Sequence, residues 1–129
     1  NYLKFILPLH PNPNVQKHKD LLTAVEVTEP LSHDETINIL RNVRLVISDS
    51  GGLQEEGSFF DKRVIVCRKT TERPEGMNSG HLVLCDTPAR LKTLFGSIVE
   101  DSYICKNPCP YGDGKAAEKI KKILDAEEL

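Results

Sequence analysis

No apolar run in these 129 residues approaches the ~20 needed to span a bilayer, and no signal-peptide pattern opens the chain. The formal net charge is only −2, which gives no electrostatic footprint for nucleic acid or an anionic membrane. Phosphate loops of the common kinds are missing too: there is no G-x-G-x-x-G, and no Gly-Lys-Ser/Thr follows a glycine-rich turn. Nor is there a Ser/His/Asp constellation, a convincing metal set or an obvious acid–base pair. Methionine occurs once, at Met77 and not at the start; the abrupt opening "NYLKFILPLH" reads as a domain cut from a longer chain. What remains is the expectation of one soluble, cytoplasmic domain spanning residues 1–129, long enough to bury a core.

Cysteine is sparse, with four residues. Cys67 and Cys85 end the apolar runs "VIVC" and "LVLC" and read as buried small hydrophobes. Cys105 and Cys109 form C-x3-C in a proline-containing loop, compatible with a local disulfide or half a metal site. No second Cys or His pair lies close by to complete such a site, so no metal is expected. The usage fits a reducing compartment.

What is present is an alternation of short apolar runs and helix-like stretches. Strands are predicted at 2–9, 25–30, 44–48, 63–67 and 81–85. Between them the patterns predict helices near 14–24, over "SHDETINILRN", at about 52–60 and at 87–100. A last helix lies in "GKAAEKIKKILDAEEL", with Ala116, Ala117, Ile120, Ile123 and Leu124 on one face. Ser32 and Glu35 have capping-box spacing, and Thr87 with Pro88 makes a second start signal. Val/Ile/Leu-rich strands separated by helices predict an α/β, Rossmann-like parallel sheet buried on both faces with flanking helices.

Ligands of such sheets sit beyond the carboxyl ends of the strands. Three strands run directly into polar, Gly- or Pro-punctuated segments: "HPNPN" (10–14), "DSGG" (49–52) and "RKTTERPE" (68–75). In DSGG, Gly51 and Gly52 allow a tight turn that leaves the first amides of the next helix uncovered, with Ser50 as a rotatable donor; such a helix start binds phosphate or carboxylate. The alternative is an ordinary strand–helix turn capped by Asp49 or Ser50. Glu56 stands ~6 Å further along the helix at ~1.5 Å per residue, in reach of a ribose's vicinal hydroxyls and away from the phosphates. The alternative for Glu55 and Glu56 is stabilisation of the helix dipole. Arg73, made extended by Pro74, would project its guanidinium clear of the sheet edge towards phosphate oxygens, beside Arg68 and Lys69. Alternating charges at Glu72, Arg73 and Glu75 also suit solvated surface pairs. His10 could donate to a ligand or cap its own loop.

Taken together, "PLHPNPNV", "SDSGGLQEEG", "TTERPEGMNSG" and "YGDGKAAEKI" resemble, in order and spacing, the non-hydrolysing UDP-N-acetylglucosamine 2-epimerases. The resemblance implies the C-terminal part of a GT-B-type two-domain fold, truncated on its N-terminal side, with UDP gripped in the cleft. It implies an isomerase of polysaccharide biosynthesis that interconverts UDP-GlcNAc and UDP-ManNAc by eliminating UDP and adding it back, with no nicotinamide cofactor. Carried over, Ser50, Gly51 and Gly52 match the diphosphate loop, Glu56 the ribose acid and Arg73 the arginine near the phosphates. His10 matches a histidine that contacts a second, regulatory UDP-GlcNAc. No catalytic residue is implied in this chain: the proton-transfer acids belong to the N-terminal domain, so the chain alone is expected to be inactive. The other expected partners are that domain and a second copy in a homodimer. Departures from the family pattern are the missing H-R-R-E segment, Thr36 where many members place an aromatic near the uracil, and the inserted Cys109 and Pro110 in "NPCPYGDG". A nucleotide-sugar glycosyltransferase domain and a non-catalytic UDP-sugar-binding module stand as alternatives.

Overall fold

The computed structural model describes residues 3–101 and 105–127. The chain divides into two compact units, one ending at Ile39 and the other beginning at Leu40.

In the first unit, β1 (Ile6–Pro8) and β2 (Glu26–Thr28) pair in parallel, with Leu7 opposite Val27. The helix expected near 14–24 is instead a four-residue α1 (Pro13–Gln16) followed by a 3-10 turn at Lys19–Leu21. The Asn12 side chain caps α1 by accepting from the Asn14 N–H, and Pro13 occupies the first helical position. With only one turn's worth of partners, that helix ends where the Lys17 N–H closes on the Pro13 carbonyl. Helix α2 (His33–Asn42) opens on the expected capping box. The Ser32 N–H donates to Glu35 Oε2 at 2.8 Å, and the Glu35 N–H donates back to Ser32 Oγ at 3.3 Å. Those bonds hold the Glu35 carboxyl below its usual range.

The second unit carries the sheet β3–β4–β5, all parallel: Leu45–Ser48, Arg63–Val66 and Leu82–Leu84. The five predicted strands thus form two hydrogen-bonded sheets among the described residues, and not one ladder. Burial on both faces is complete only in β4, where Val64, Ile65 and Val66 are wholly inaccessible. It is the central strand of its three, so both its faces and both its edges are covered. β3 leaves Ile47 exposed.

Helix α3 (Gly51–Phe59) packs on β3 and β4. Gly57 makes the close approach possible: a Cβ there would fall 2.8 Å from Val64 Cγ2. Helix α4 (Pro74–Ser79) was not foreseen by the apolar periodicity, because its six residues, PEGMNS, carry one large apolar side chain. Pro74 starts it, and Gly80 ends it at φ 86°. Helix α5 (Pro88–Glu100) is capped by Thr87, which accepts from the Arg90 N–H. Helix α6 (Ala116–Ala126) keeps its apolar stripe exposed, with Ile120, Ile123 and Leu124 all more than half accessible.

One cysteine expectation is corrected, and the open choice at Cys105 and Cys109 is narrowed. Cys67 is exposed, because β4 ends at Val66 and the chain turns there, the Arg68 N–H closing on the Val66 carbonyl at 2.8 Å. Cys105 and Cys109 are both free thiols; Cys105 is buried against the Ser79 carbonyl and His81 Nδ1, each 3.5 Å from its sulfur. Among the described residues no helix is long and apolar enough to cross a membrane.

A candidate anion site at the start of helix α3

β3 delivers the chain to Asp49 and Ser50 at its carboxyl end, and α3 begins at once with Gly51. Ser50 is the N-cap residue by backbone conformation (φ −76°, ψ 132°), yet its hydroxyl makes no capping bond. A serine in that place ordinarily satisfies one of the four orphan N–H groups of a helix start. Ser50 is exposed, and the first turn of α3 carries no acidic residue. That leaves a donor-rich helix terminus, at the positive end of the dipole, without a side-chain cap from Ser50.

β4 delivers the second component. The segment from Cys67 to Arg73 loops back so that Arg73 lies over α3. A Cβ on Gly51 would meet Arg73 Nη1 at 2.8 Å, Glu72 Oε1 at 2.9 Å and Arg73 Cζ at 3.0 Å. The guanidinium therefore does not project clear of the sheet edge, as the extended-backbone expectation had it. Arg73 is the N-cap residue of α4 (φ −122°, ψ 63°).

Fixed contacts hold Arg73 there. Its Nε–H donates to Glu55 Oε1 at 2.6 Å, and Nη1 pairs with Glu72. The Glu55 bond raises the arginine above its ordinary value, with burial opposing and both carboxylates adding. Glu72 is held low, first by its own backbone N–H and then by Arg68 and Arg73; Arg68 donates to it at 2.9 Å. On the backbone side, the Arg73 N–H donates to Thr71 Oγ1 at 3.0 Å, and that hydroxyl donates to Gln54 Oε1 at 2.6 Å. Gln54 is fully buried in α3, and its amide nitrogen donates to the Ser50 carbonyl at 3.3 Å. From the other side the Tyr111 hydroxyl donates to the Arg73 carbonyl and accepts from the Gly76 N–H, both at 3.0 Å. One polar chain thus ties the Ser50 backbone, Gln54, Thr71, Arg73, Tyr111 and Gly76.

Ser50, Gly51, Gly52 and Arg73 come together at this helix start. Glu56 lies one turn on from Gly52, half-buried, on the face next to the one Glu55 uses for Arg73. His10 belongs to the other unit, where its Nδ1 accepts from the Asn12 N–H at 3.1 Å and its carbonyl accepts from Gln16 Nε2 at 2.9 Å. The loop-capping role is thus filled.

The profile of the UDP-N-acetylglucosamine 2-epimerase family matches residues 1–125. The chain belongs to this family. Among curated relatives, UDP-N-acetylglucosamine 2-epimerases from Campylobacter jejuni and Neisseria meningitidis are 35% and 36% identical, over 95% and 93% of this chain. The matched part is 34% and 35% of those proteins, so the chain spans about a third of the length of the relatives it matches. Two solved structures agree in fold. An S. aureus MnaA–UDP co-structure superposes with TM-score 0.86 at 32% identity, over 98% of this chain and 38% of the other. The N. meningitidis UDP-GlcNAc 2-epimerase bound to UDP-GlcNAc gives 0.84 at 32% identity, over 97% and 37%.

Reading residue types alone missed four members of the site: Gln54, Glu55 as the arginine's partner, Thr71 and Tyr111. Three of them lie inside the very strings that carry the family resemblance, "SGGLQEE" and "TTERPE", and Tyr111 opens "YGDG". Their signal was present, but only the fold brings residue 111 to residue 73.

Proposed function

We propose that residues 1–129 form one Rossmann-like domain, the C-terminal UDP-gripping part of a GT-B-type UDP-N-acetylglucosamine 2-epimerase. The observation that carries this reading is the Arg73 guanidinium folded over Gly51 beside an uncapped Ser50 hydroxyl. A diphosphate there would take the α3 amides, the Ser50 hydroxyl and Arg73, while Glu56 would accept from the ribose hydroxyls. Family membership and the UDP-bound relatives support the same ligand class.

The parent enzyme would interconvert UDP-GlcNAc and UDP-ManNAc in the cytoplasm, eliminating UDP and adding it back after protonation from the opposite face. In that scheme this chain stabilises the departing UDP. Acids for proton transfer would come from the N-terminal domain, and a homodimer would be the working form. His10 would touch a second, regulatory UDP-GlcNAc.

The test is a calorimetric titration of UDP into the purified chain, with Ser50→Ala and Arg73→Ala alongside, and a product assay on UDP-GlcNAc. UDP binding that both substitutions weaken, with no UDP-ManNAc formed, is the expected result. Absence of UDP binding by a folded chain would overturn the gripping role, and epimerised product from this chain alone would overturn the division of labour.

A further inference from the structure

The parallel ladder between β4 and β5 ends with Val66 opposite Leu84. The next residue on each strand is a cysteine. The Cys85 N–H still donates to the Val66 carbonyl at 2.8 Å, so the two chains remain neighbours at this level. Cys67 and Cys85 both line one open cavity of about 220 Å³, with Asp86, Thr87, Pro88 and Leu91 completing its wall. Paired positions on neighbouring strands lie about 4.8 Å apart, and Cys67 and Cys85 each stand one residue beyond the last such pair; a disulfide spans Cα separations of about 4.4–6.8 Å. Cys67 is exposed, while Cys85 is only 4% accessible.

We propose that Cys67 and Cys85 are a redox modification site: a cross-strand dithiol that exchanges with a low-molecular-weight disulfide and closes into a Cys67–Cys85 bond. The exposed Cys67 thiolate attacks one sulfur of the small disulfide, forming a mixed disulfide and expelling one small thiolate. Cys85, having lost its proton to solvent, then attacks Cys67 Sγ and expels the second. Two protein thiols are oxidised to one disulfide, and one small disulfide is reduced to two thiols.

The Cys67 thiol is held above its ordinary range, first by partial burial and then by Cys85 and Asp49, so the rate of the first attack rises with pH. The other two cysteines are placed differently: Cys105 is enclosed by Ser79 and His81, and Cys109 lies in the loop before Tyr111.

The experiment treats the reduced full chain with oxidised glutathione, then counts free thiols and maps peptides. Tryptic cleavage after Arg68 and Lys69 separates the two cysteines, so a linked pair of peptides reports the bond. Free thiols should fall from four to two, and the mass should drop by two hydrogens, with the link between Cys67 and Cys85. Cys109→Ser should leave that bond intact, removing a surface thiol that could take up glutathione. Cys67→Ser, at an exposed position that the fold does not need, should leave Cys85 a free thiol. Glutathione retained on Cys67 with Cys85 still free, a link involving Cys105 or Cys109, or no reaction at Cys67 would each overturn the proposal.

Discussion

Arg73 rests over Gly51, with its Nη1 at 2.8 Å from where a Cβ on that glycine would stand. A hydrogen at residue 51 is what lets a guanidinium share the helix start with the backbone amides. Gly51→Ala should cost little stability, since the displaced atoms are the far end of a flexible side chain. It should weaken UDP binding about tenfold, a loss of about 1.4 kcal/mol, by pushing the guanidinium off the amides. Paired calorimetric titration and thermal melts check this; a lowered affinity together with a large drop in Tm would point to a folding defect instead.

Glu72 Oε1 lies 2.9 Å from the same Cβ position, where its charge would oppose the proposed diphosphate. Carboxylate–guanidinium pairs at the surface contribute little, so an incoming diphosphate can displace Glu72. Glu72→Gln should therefore tighten UDP binding about threefold at low salt, since a like charge is removed. The gain should shrink as ionic strength rises, because screening erases the repulsion it relieves. Unchanged affinity at low salt would mean that Glu72 already stands aside when the ligand arrives.

Tyr111 bonds both the Arg73 carbonyl and the Gly76 N–H. Tyr111→Phe leaves these two groups without their partner and should cost about 1–3 kcal/mol. It should also loosen Arg73 and so lower UDP affinity. Burial raises the phenol above its ordinary value. The neutral form is thus favoured in the fold, so the Tyr111 contribution is complete below the unfolded value near ~10 and is lost as pH rises through the raised folded value. Urea unfolding followed from neutral to strongly alkaline pH should fall more steeply in the wild type than in the phenylalanine variant.

Gly57 is the contact point of α3 with the sheet, facing Val64 in the fully buried β4. Neither backbone nor core valine can yield there, so Gly57→Ala should destabilise by about 1–3 kcal/mol through overpacking. The urea midpoint should drop; a neutral result would show that α3 can lift from β4.

Local rules wrote much of this architecture into the chain. The capping box at Ser32 and Glu35, the Thr87–Pro88 start of α5 and the apolar runs of β3, β4 and β5 involve partners a few residues apart. Elements without a long apolar period escaped: α4 has six residues and one large apolar side chain, and α1 closes after a single turn. Cys67 reads as core because it ends a valine–isoleucine run, but solvent reaches it one residue beyond the last paired position.

The site divides in the same way. Ser50, Gly51, Gly52 and Glu56 lie within seven consecutive residues, and a strand running into a glycine pair and a helix sets their grouping through backbone geometry alone. Placing Arg73 over Gly51, with Glu55 and Glu72 as its counter-charges, took the parallel pairing of β3 with β4, which brings their carboxyl ends to one edge. Fixing Tyr111 beneath residue 73 took the packing of segments 38 residues apart. Short-range hydrogen bonding and sterics act between neighbours in sequence and are legible there; charge pairs and buried polar chains act through space, and only the folded chain sets those distances.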